Sequence, residues 1–400
     1  MNKVYSKVIY IVISILLIIN SATIYMTENF NRCIVAMAGV LIAYNIICVF
    51  TYATKLKKVD CWSAMLVAFL ITILFILWKH VYAYGVYVLG ILFPNIWLMI
   101  KIQEERNKVK EFLEALVKVS VGIAILSLLF WIAGSIFGFI KPTAIVPIRW
   151  GHNIRYIKSY YGLYFEAQNA AIDLGWVRLG VKNNSFFLEA PICAYVFIVV
   201  FIINEKINLK KKKAIRILLL IMILSTLTTT GVLFVSCVMV YFVSGFQPRS
   251  NFEKVLKWII YTIIVVIAAG IISSLLREKS VSYSGNIRFS KMQDEFKAFL
   301  NNPISGNGFN TYTDGSSNSI TALLADGGIL LWMIYYIPLI KLMAHTWKNR
   351  RYDALLIIYI FTFAITVVQY TPICIFMLMW YTETIKGGIN NDFNNCSDIQ

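Results

Sequence analysis

Charge is scarce in this 400-residue chain: Asp, Glu, Lys and Arg make up 14% of it, against 59% hydrophobic residues. Soluble domains are about a quarter charged. A surface this poor in charge does not stay in water, so a soluble globular fold is excluded, as are disordered and collagen-like chains. Cys-x-x-Cys pairs are missing among Cys33, Cys48, Cys61, Cys193, Cys237, Cys374 and Cys396. That argues against a disulfide framework and a structural zinc site, and the expected metal and cofactor complement is none. No Walker A loop and no dinucleotide fingerprint occur, which removes ATP-driven transport. Ionisable residues are nearly missing from the long apolar runs; Lys118, Glu189 and Asp326 are the main exceptions, all toward run ends. Ion-coupled carriers place such groups near the bilayer midplane. Acid is the scarcer sign, with 20 Asp and Glu against 37 Lys and Arg, giving a formal net charge of +17.

What is present is a series of apolar runs. They predict helices over 8–26, 33–53, 62–78, 80–100, 115–140, 186–203, 214–228, 231–246, 258–275, 319–341, 353–368 and 370–384. A span needs about 20 apolar residues. The expected fold is therefore all-α: a polytopic membrane protein of about twelve transmembrane helices, with a range of ten to twelve. Continuous rather than alternating apolar runs exclude a closed β-barrel. The first run, behind Lys3 and Lys7, reads as a retained anchor rather than a cleaved signal. Residues 1–384 form one membrane domain, and the polar segment 385–400 reads as a short disordered cytoplasmic tail.

Placing both termini in the cytoplasm collects short basic loops on that side: Lys55, Lys57 and Lys58; Lys101 to Lys110; Lys206 to Arg216; Arg249 to Lys257; Lys348 to Arg351. Such bias sets orientation and explains most of the positive charge without nucleic acid. The short turns at 228–231 and 369–372 also fit re-entrant hairpins. Two long segments, about 141–185 and 276–318, then face outward, and long loops are usually functional.

The first carries Lys141, Arg149, Arg155, Lys158, Arg178, Lys182 and His152, with Trp150, Tyr156, Tyr160, Tyr161, Tyr164, Phe165 and Trp176; only Glu166 and Asp173 oppose the cations. Outward cations do not serve topology. Arg suits phosphate because its planar fork pairs with two oxygens, and aromatic faces suit sugar rings. An aromatic belt with a few headgroup-binding arginines fits the same residues. Glu189 follows an Asn-rich turn and sits at the predicted start of a span, where it suits either a helix-dipole contact or acid–base work.

The second segment predicts an amphipathic surface helix over 288–300, with Phe289, Met292, Phe296 and Phe299 on its apolar side. Gly306-Asn307-Gly308 makes a turn whose N–H groups suit an anion, a weak signal alone. Asp326 lies in the next span, where a carboxylate requires a partner such as Asn318 or a loop Arg.

Three stretches carry a resemblance. They are Asn184-Ser185-Phe186-Phe187-Leu188-Glu189-Ala190-Pro191; Arg288 and its helix followed by Asn302-Pro303-Ile304-Ser305-Gly306-Asn307-Gly308-Phe309; and Ser317-Asn318 followed by Leu324-Ala325-Asp326-Gly327-Gly328-Ile329. Their order, with many spans and two large outer loops, resembles the O-antigen ligase/polymerase superfamily, and within it the Wzy-type polysaccharide polymerases. The resemblance implies a metal-independent, GT-C-like membrane glycosyltransferase of the bacterial cytoplasmic membrane. Its substrates would be undecaprenyl-pyrophosphate-linked oligosaccharides, as donor and acceptor, in O-antigen, capsule or exopolysaccharide synthesis. A flippase and a chain-length regulator would be its partners beside the lipid bilayer. Ligase-type members often show His-Asn where this chain has Ser317-Asn318, which favours the polymerase.

On this reading Arg288, Glu189, His152 and Asp326 are the catalytic candidates, and Arg149, Arg155, Arg178, Lys182, Asn318, Trp150 and Trp176 would bind substrate. A ligase-like glycan transferase and a lipid-linked glycan flippase or exporter are the competing readings. A structural subunit without chemistry is the third.

Overall fold

The computed structural model describes residues 3–52, 61–78, 82–150, 153–173, 178–281, 283–309, 318–348 and 353–386. Helices occupy the apolar runs. α1 (Lys3–Ile19) ends in a turn, and a short α2 (Ile24–Glu28) leads to α3 (Phe30–Tyr52) and α4 (Cys61–Leu77). α5 (Ala83–Gly85) continues through a π-helical segment (Val86–Leu92) into α6 (Phe93–Glu105). α7 (Val109–Phe130) ends in a second π-helical segment (Trp131–Ile136). After five strands come α8 (Ala190–Lys206), α9 (Lys212–Ser225), α10 (Thr229–Gly245), α11 (Asn251–Val281), α12 (Tyr283–Asn301), α13 (Ser319–Lys348), α14 (Ala354–Ile365) and α15 (Pro372–Lys386).

The make-up is that of a helical membrane protein. Among the described residues, four helical stretches are long and apolar enough to cross a membrane: Phe30–Thr51, Ala83–Glu105, Val109–Ile136 and Ser319–His345. Several others are apolar but shorter. α14 has 12 residues, about 18 Å at 1.5 Å per residue, against a hydrocarbon core of about 30 Å. A count of hydrophobic runs therefore overstates how many helices could cross alone.

α8 is the centre of the bundle. From Ile192 to Asn204 every residue is buried, as expected of a helix that is apolar all round. It packs against α7, α9, α10, α14 and α15.

The two ends of the bundle differ. At one, Arg216 pairs with both carboxylate oxygens of Glu205, at 2.9 and 2.7 Å. There Asp353 Oδ2 accepts from Lys206 Nζ at 2.6 Å and from the Tyr381 hydroxyl at 2.8 Å. This basic end joins the C-termini of α8 and α15 to the N-termini of α9 and α14.

The other end carries the strands and corrects the all-α expectation. Segment 141–185 is folded, not a bare loop. β1 (Ala144–Trp150), β2 (Asn153–Tyr160) and β3 (Tyr164–Glu166) form an antiparallel sheet, and β4 (Asn169–Asp173) pairs with β5 (Arg178–Val181). The period-2 signal is there: Ile148 and Ile157 are buried, while Ile145, Ile154 and Tyr156 are exposed. It is obscured because several outward positions are also apolar.

The tail expectation for 385–400 falls almost entirely outside the described residues. α15 runs to Lys386.

Candidate functional site

The most unusual backbone lies in α13, which breaks at Gly328 (φ 60°, ψ −157°). A break inside a membrane-crossing helix frees N–H and C=O groups that lipid cannot satisfy. The segment after α12 fills it. Asn307 N donates to Ala325 O and Gly308 N to Asp326 O, both at 3.0 Å. From the other half-helix, Ile329 N donates to Pro303 O at 2.9 Å and Leu330 N to Ile304 O at 3.2 Å. The approach is close enough that a Cβ on Gly306 would lie 2.4 Å from Asp326 C and O, and one on Gly328 would lie 2.4 Å from Ile304 O.

Side chains tie the same segment down. Asn307 Nδ2 donates to Ala298 O at 2.9 Å and Ala325 O at 3.1 Å, and Trp78 Nε1 donates to Ser305 O at 2.6 Å. Phe309 is buried against Tyr370, with ring centroids 4.1 Å apart, and against Tyr84 and Trp78. This corrects the anion reading of Gly306-Asn307-Gly308. The Asn307 and Gly308 amides donate to carbonyls of the broken helix.

Asp326 is 5% exposed, and its Oδ2 accepts from the Tyr370 hydroxyl at 2.7 Å. The sequence requires a donor here but points to Asn318 or an Arg. Asn318 caps α13, its Oδ1 accepting from Ile320 N and Thr321 N at 3.0 Å each. Tyr370 escapes sequence reasoning because it lies in the turn before α15, 44 residues away, and only tertiary packing brings it in.

The same turn connects to the Glu189 stretch. Ile373 N donates to Ser21 Oγ at 3.3 Å, Leu188 N to Ala22 O at 3.1 Å, and Ile24 N to Phe186 O at 2.9 Å. Asn318, Asp326 and Glu189 thus share the strand-bearing end. Within the Glu189 stretch, Asn183 is fully buried. It accepts from Ser127 Oγ at 2.6 Å and Ser185 N at 3.0 Å, and donates to Ser225 Oγ at 2.9 Å. Glu189 is half-buried and occupies the N-cap of α8, but its side chain makes no capping bond. Gln168 Oε1 accepts from Ala190 N instead, at 2.9 Å. The hydrogen bond to the first N–H of α8 thus comes from a residue between β3 and β4.

The cations of the hairpin do not converge as a set. Arg149 pairs with Ile154 and Ile148 with Arg155. Paired residues share a face and successive residues alternate, so Arg149 and Arg155 project from opposite faces. Both are exposed. Lys158 reaches back to Glu166 at 3.1 Å. The Glu166 carboxylate also accepts from Tyr160 and Ser135 hydroxyls, which anchors the sheet on the π-helical end of α7. Burial alone would raise the Glu166 pKa. The hydrogen bonds from Tyr160, Ser135 and Lys158 outweigh it and hold the group below the ordinary carboxylate value. Burial, with the adjacent Glu166, pushes the Tyr160 phenol up to about 12.

A depressed carboxylate stabilises the fold above its unfolded pKa and stops doing so as pH falls through the folded one. Glu166→Gln is therefore expected to melt below the wild type at neutral pH. The gap should close as the pH drops below the ordinary glutamate value of 4.5. Thermal unfolding of both proteins across that range checks it.

Lys182 is half-buried, and its N–H donates to Gln168 O at 3.1 Å. Arg288 lies in α12; its side chain, like those of Trp150 and Arg178 at the ends of β1 and β5, is outside the described residues, as are His152 and Trp176 altogether. Among the described residues no three His, Cys, Asp or Glu side chains cluster as a metal site requires. No family model matches this chain, and no curated protein matches it.

Proposed function

We propose that the chain is a glycan polymerase of the membrane-embedded, GT-C-like kind. It would join oligosaccharide repeat units carried on undecaprenyl pyrophosphate at the outer face of a bacterial cytoplasmic membrane. In this reading about twelve segments cross or enter the bilayer, both termini are cytoplasmic, and the strand-bearing end faces outward. The observation that carries it is the joining of α12, which bears Arg288, to a broken α13 at the end that also holds Asn318, Asp326 and Glu189.

The reaction needs little beyond positioned groups. An acceptor hydroxyl attacks the donor's anomeric carbon, a glycosidic bond forms, and the bond to the lipid pyrophosphate breaks. The leaving group carries away the electron pair and gains negative charge, which positioned cationic donors stabilise. Arg288 is assigned that task, with Arg149, Arg155 and Arg178 as further contacts to pyrophosphate. Glu189 is the first carboxylate for orienting or deprotonating the acceptor, with His152 and Asp326 after it. Trp150 and Trp176 would stack on sugar rings, and Lys182 and Asn318 would complete the binding set.

Deleting the gene and sizing the surface glycan tests the reading. Single repeat units in place of a ladder are the expected result. An unchanged ladder refutes it. Loss of glycan attachment with polymer length intact would point to the ligase-like transferase.

A further inference from the structure

The turn that joins β2 to β3 holds an aromatic residue in a strained place. Tyr161 (φ 54°) and Gly162 (φ 70°) both take left-handed backbone, and Leu163 N donates to Tyr160 O at 3.0 Å. Positive φ at both central positions is the mark of the type I′ hairpin turn, whose first central residue is usually Asn, Asp or Gly. A bulky side chain there is strained, and such strain persists where the surrounding structure or the function requires it. Packing into the core does not explain it, because Tyr161 is 65% exposed. Its ring meets Phe130 of α7, with centroids 6.1 Å apart.

Phe130 gives the depth of the turn. Beyond Lys118 the membrane-crossing stretch carries no charge until its end at Ile136. That part is about 27 Å long, close to the hydrocarbon thickness of about 30 Å. Phe130 lies about 9 Å short of its end. Ile125, Leu129, Ile132 and Ile136 are exposed along the same stretch, as a lipid-facing stripe is. The turn therefore sits at the edge of the hydrocarbon layer, beside lipid.

Its backbone groups are satisfied within the protein. Tyr161 N donates to Thr143 Oγ1 at 2.8 Å and Gly162 N to Ser159 Oγ at 3.2 Å. Leu163 N is held by Tyr160 O, and Gly162 O accepts from the Tyr25 hydroxyl. A turn in water can leave such groups to solvent, whereas one against acyl chains must satisfy them internally. Leu163 is exposed beside Tyr161, and so are Phe137 and Phe139, whose stacked rings follow directly on Ile136.

We infer that the Tyr160–Leu163 turn is a membrane anchor. Tyr161 and Leu163, with Phe137 and Phe139, bed in the lipid leaflet at the strand-bearing end and hold the base of the sheet at headgroup depth. Tyr suits that place because its ring is apolar while its hydroxyl reaches hydrated headgroups. Lipid is the occupant, rather than a second copy or another protein, because the turn is level with the uncharged part of the membrane-crossing stretch. The inference stands on the membrane geometry alone, so its failure would leave the glycan reading untouched.

The test uses the full-length protein in liposomes of phosphatidylethanolamine and phosphatidylglycerol. With Tyr161 replaced by the photo-crosslinker p-benzoylphenylalanine, illumination should yield lipid adducts on the peptide that contains the turn. Adducts to a second copy of the chain in their place, or no lipid adduct, would overturn the inference. Two substitutions then separate anchoring from turn formation. Asn is the better residue for the left-handed position, so Tyr161→Asn should slow amide hydrogen exchange in β2 and β3 if residue 161 serves the turn alone. If Tyr161 is an anchor, the same variant should speed that exchange about fivefold or more, while Tyr161→Trp, which keeps an interfacial ring, should stay near wild type. Exchange that is unchanged or slower in Tyr161→Asn would overturn the inference, as would equally fast exchange in Tyr161→Trp.

Discussion

Gly328→Ala is expected to leave almost no folded protein, while Gly39→Ala is expected to be silent. Gly39 lies within α3, and a methyl group added there would meet nothing within 4 Å. Alanine at that position gains about 1 kcal/mol of helix propensity at most. At Gly328 two penalties combine. Its φ of 60° with ψ −157° lies in a region that is essentially glycine-only and costs an L-residue about 1–3 kcal/mol. The overlap with Ile304 O at 2.4 Å is the larger problem, because the obstacle is backbone. Relieving it means moving Ile304, whose carbonyl accepts from Leu330 N. That would uncover polar groups of both half-helices where water is scarce. Gly306→Ala should behave the same way, since its methyl would meet Asp326 C and O at 2.4 Å. Monodispersity on size exclusion and melting temperature, compared across the three variants, decide the matter. A Gly328→Ala protein that is monodisperse and melts like Gly39→Ala would mean the break is not built as described.

Arg288→Ala is expected to lower polymerisation about a hundredfold or more, the usual effect of removing one donor that meets transition-state charge. Membrane insertion and melting temperature should be unaffected. Arg288→Lys should rescue little. A guanidinium offers a planar pair of donors to two phosphate oxygens, whereas an ammonium offers a point charge. Arg149→Ala and Arg155→Ala provide the contrast. They project from opposite faces of the hairpin, so each should weaken donor binding alone and raise KM more than it lowers kcat. A well-expressed Arg288→Ala protein that makes polymer of normal length would remove Arg288 from the mechanism.

The legible part of the fold was the part governed by one-dimensional hydrophobicity. Long runs such as 33–53 and 115–140 correspond closely to α3 and to α7 with its π-helical extension. The break in α13 was half legible. Gly327-Gly328 interrupts an apolar run, yet nothing local says that residues 303–308 fill the gap. The hairpin was hidden because Ile145, Ile154 and Tyr156 face outward beside Arg149 and Lys158, so the apolar/polar alternation of the strands is broken. The candidate site divides the same way. Asp326 could be read as needing a donor, and Tyr370 provides one. Glu295 drew no attention, because a Glu between exposed charges on an amphipathic helix looks solvated. Only the packing of α12 on α13 shows that Phe289 and Phe296 face away and that Glu295, which accepts from the Thr321 hydroxyl, faces in.

The most direct measurement is reconstitution. The purified protein, alone in liposomes, is given undecaprenyl-pyrophosphate-linked single repeat units, with no nucleotide and no added metal, and the products are separated by length. The expected result is a ladder of repeat lengths still attached to the lipid carrier, with free lipid pyrophosphate released once per linkage, and no ladder from Arg288→Ala. Substrate that crosses the bilayer without being lengthened, or that stays unchanged beside a well-folded protein, would contradict it.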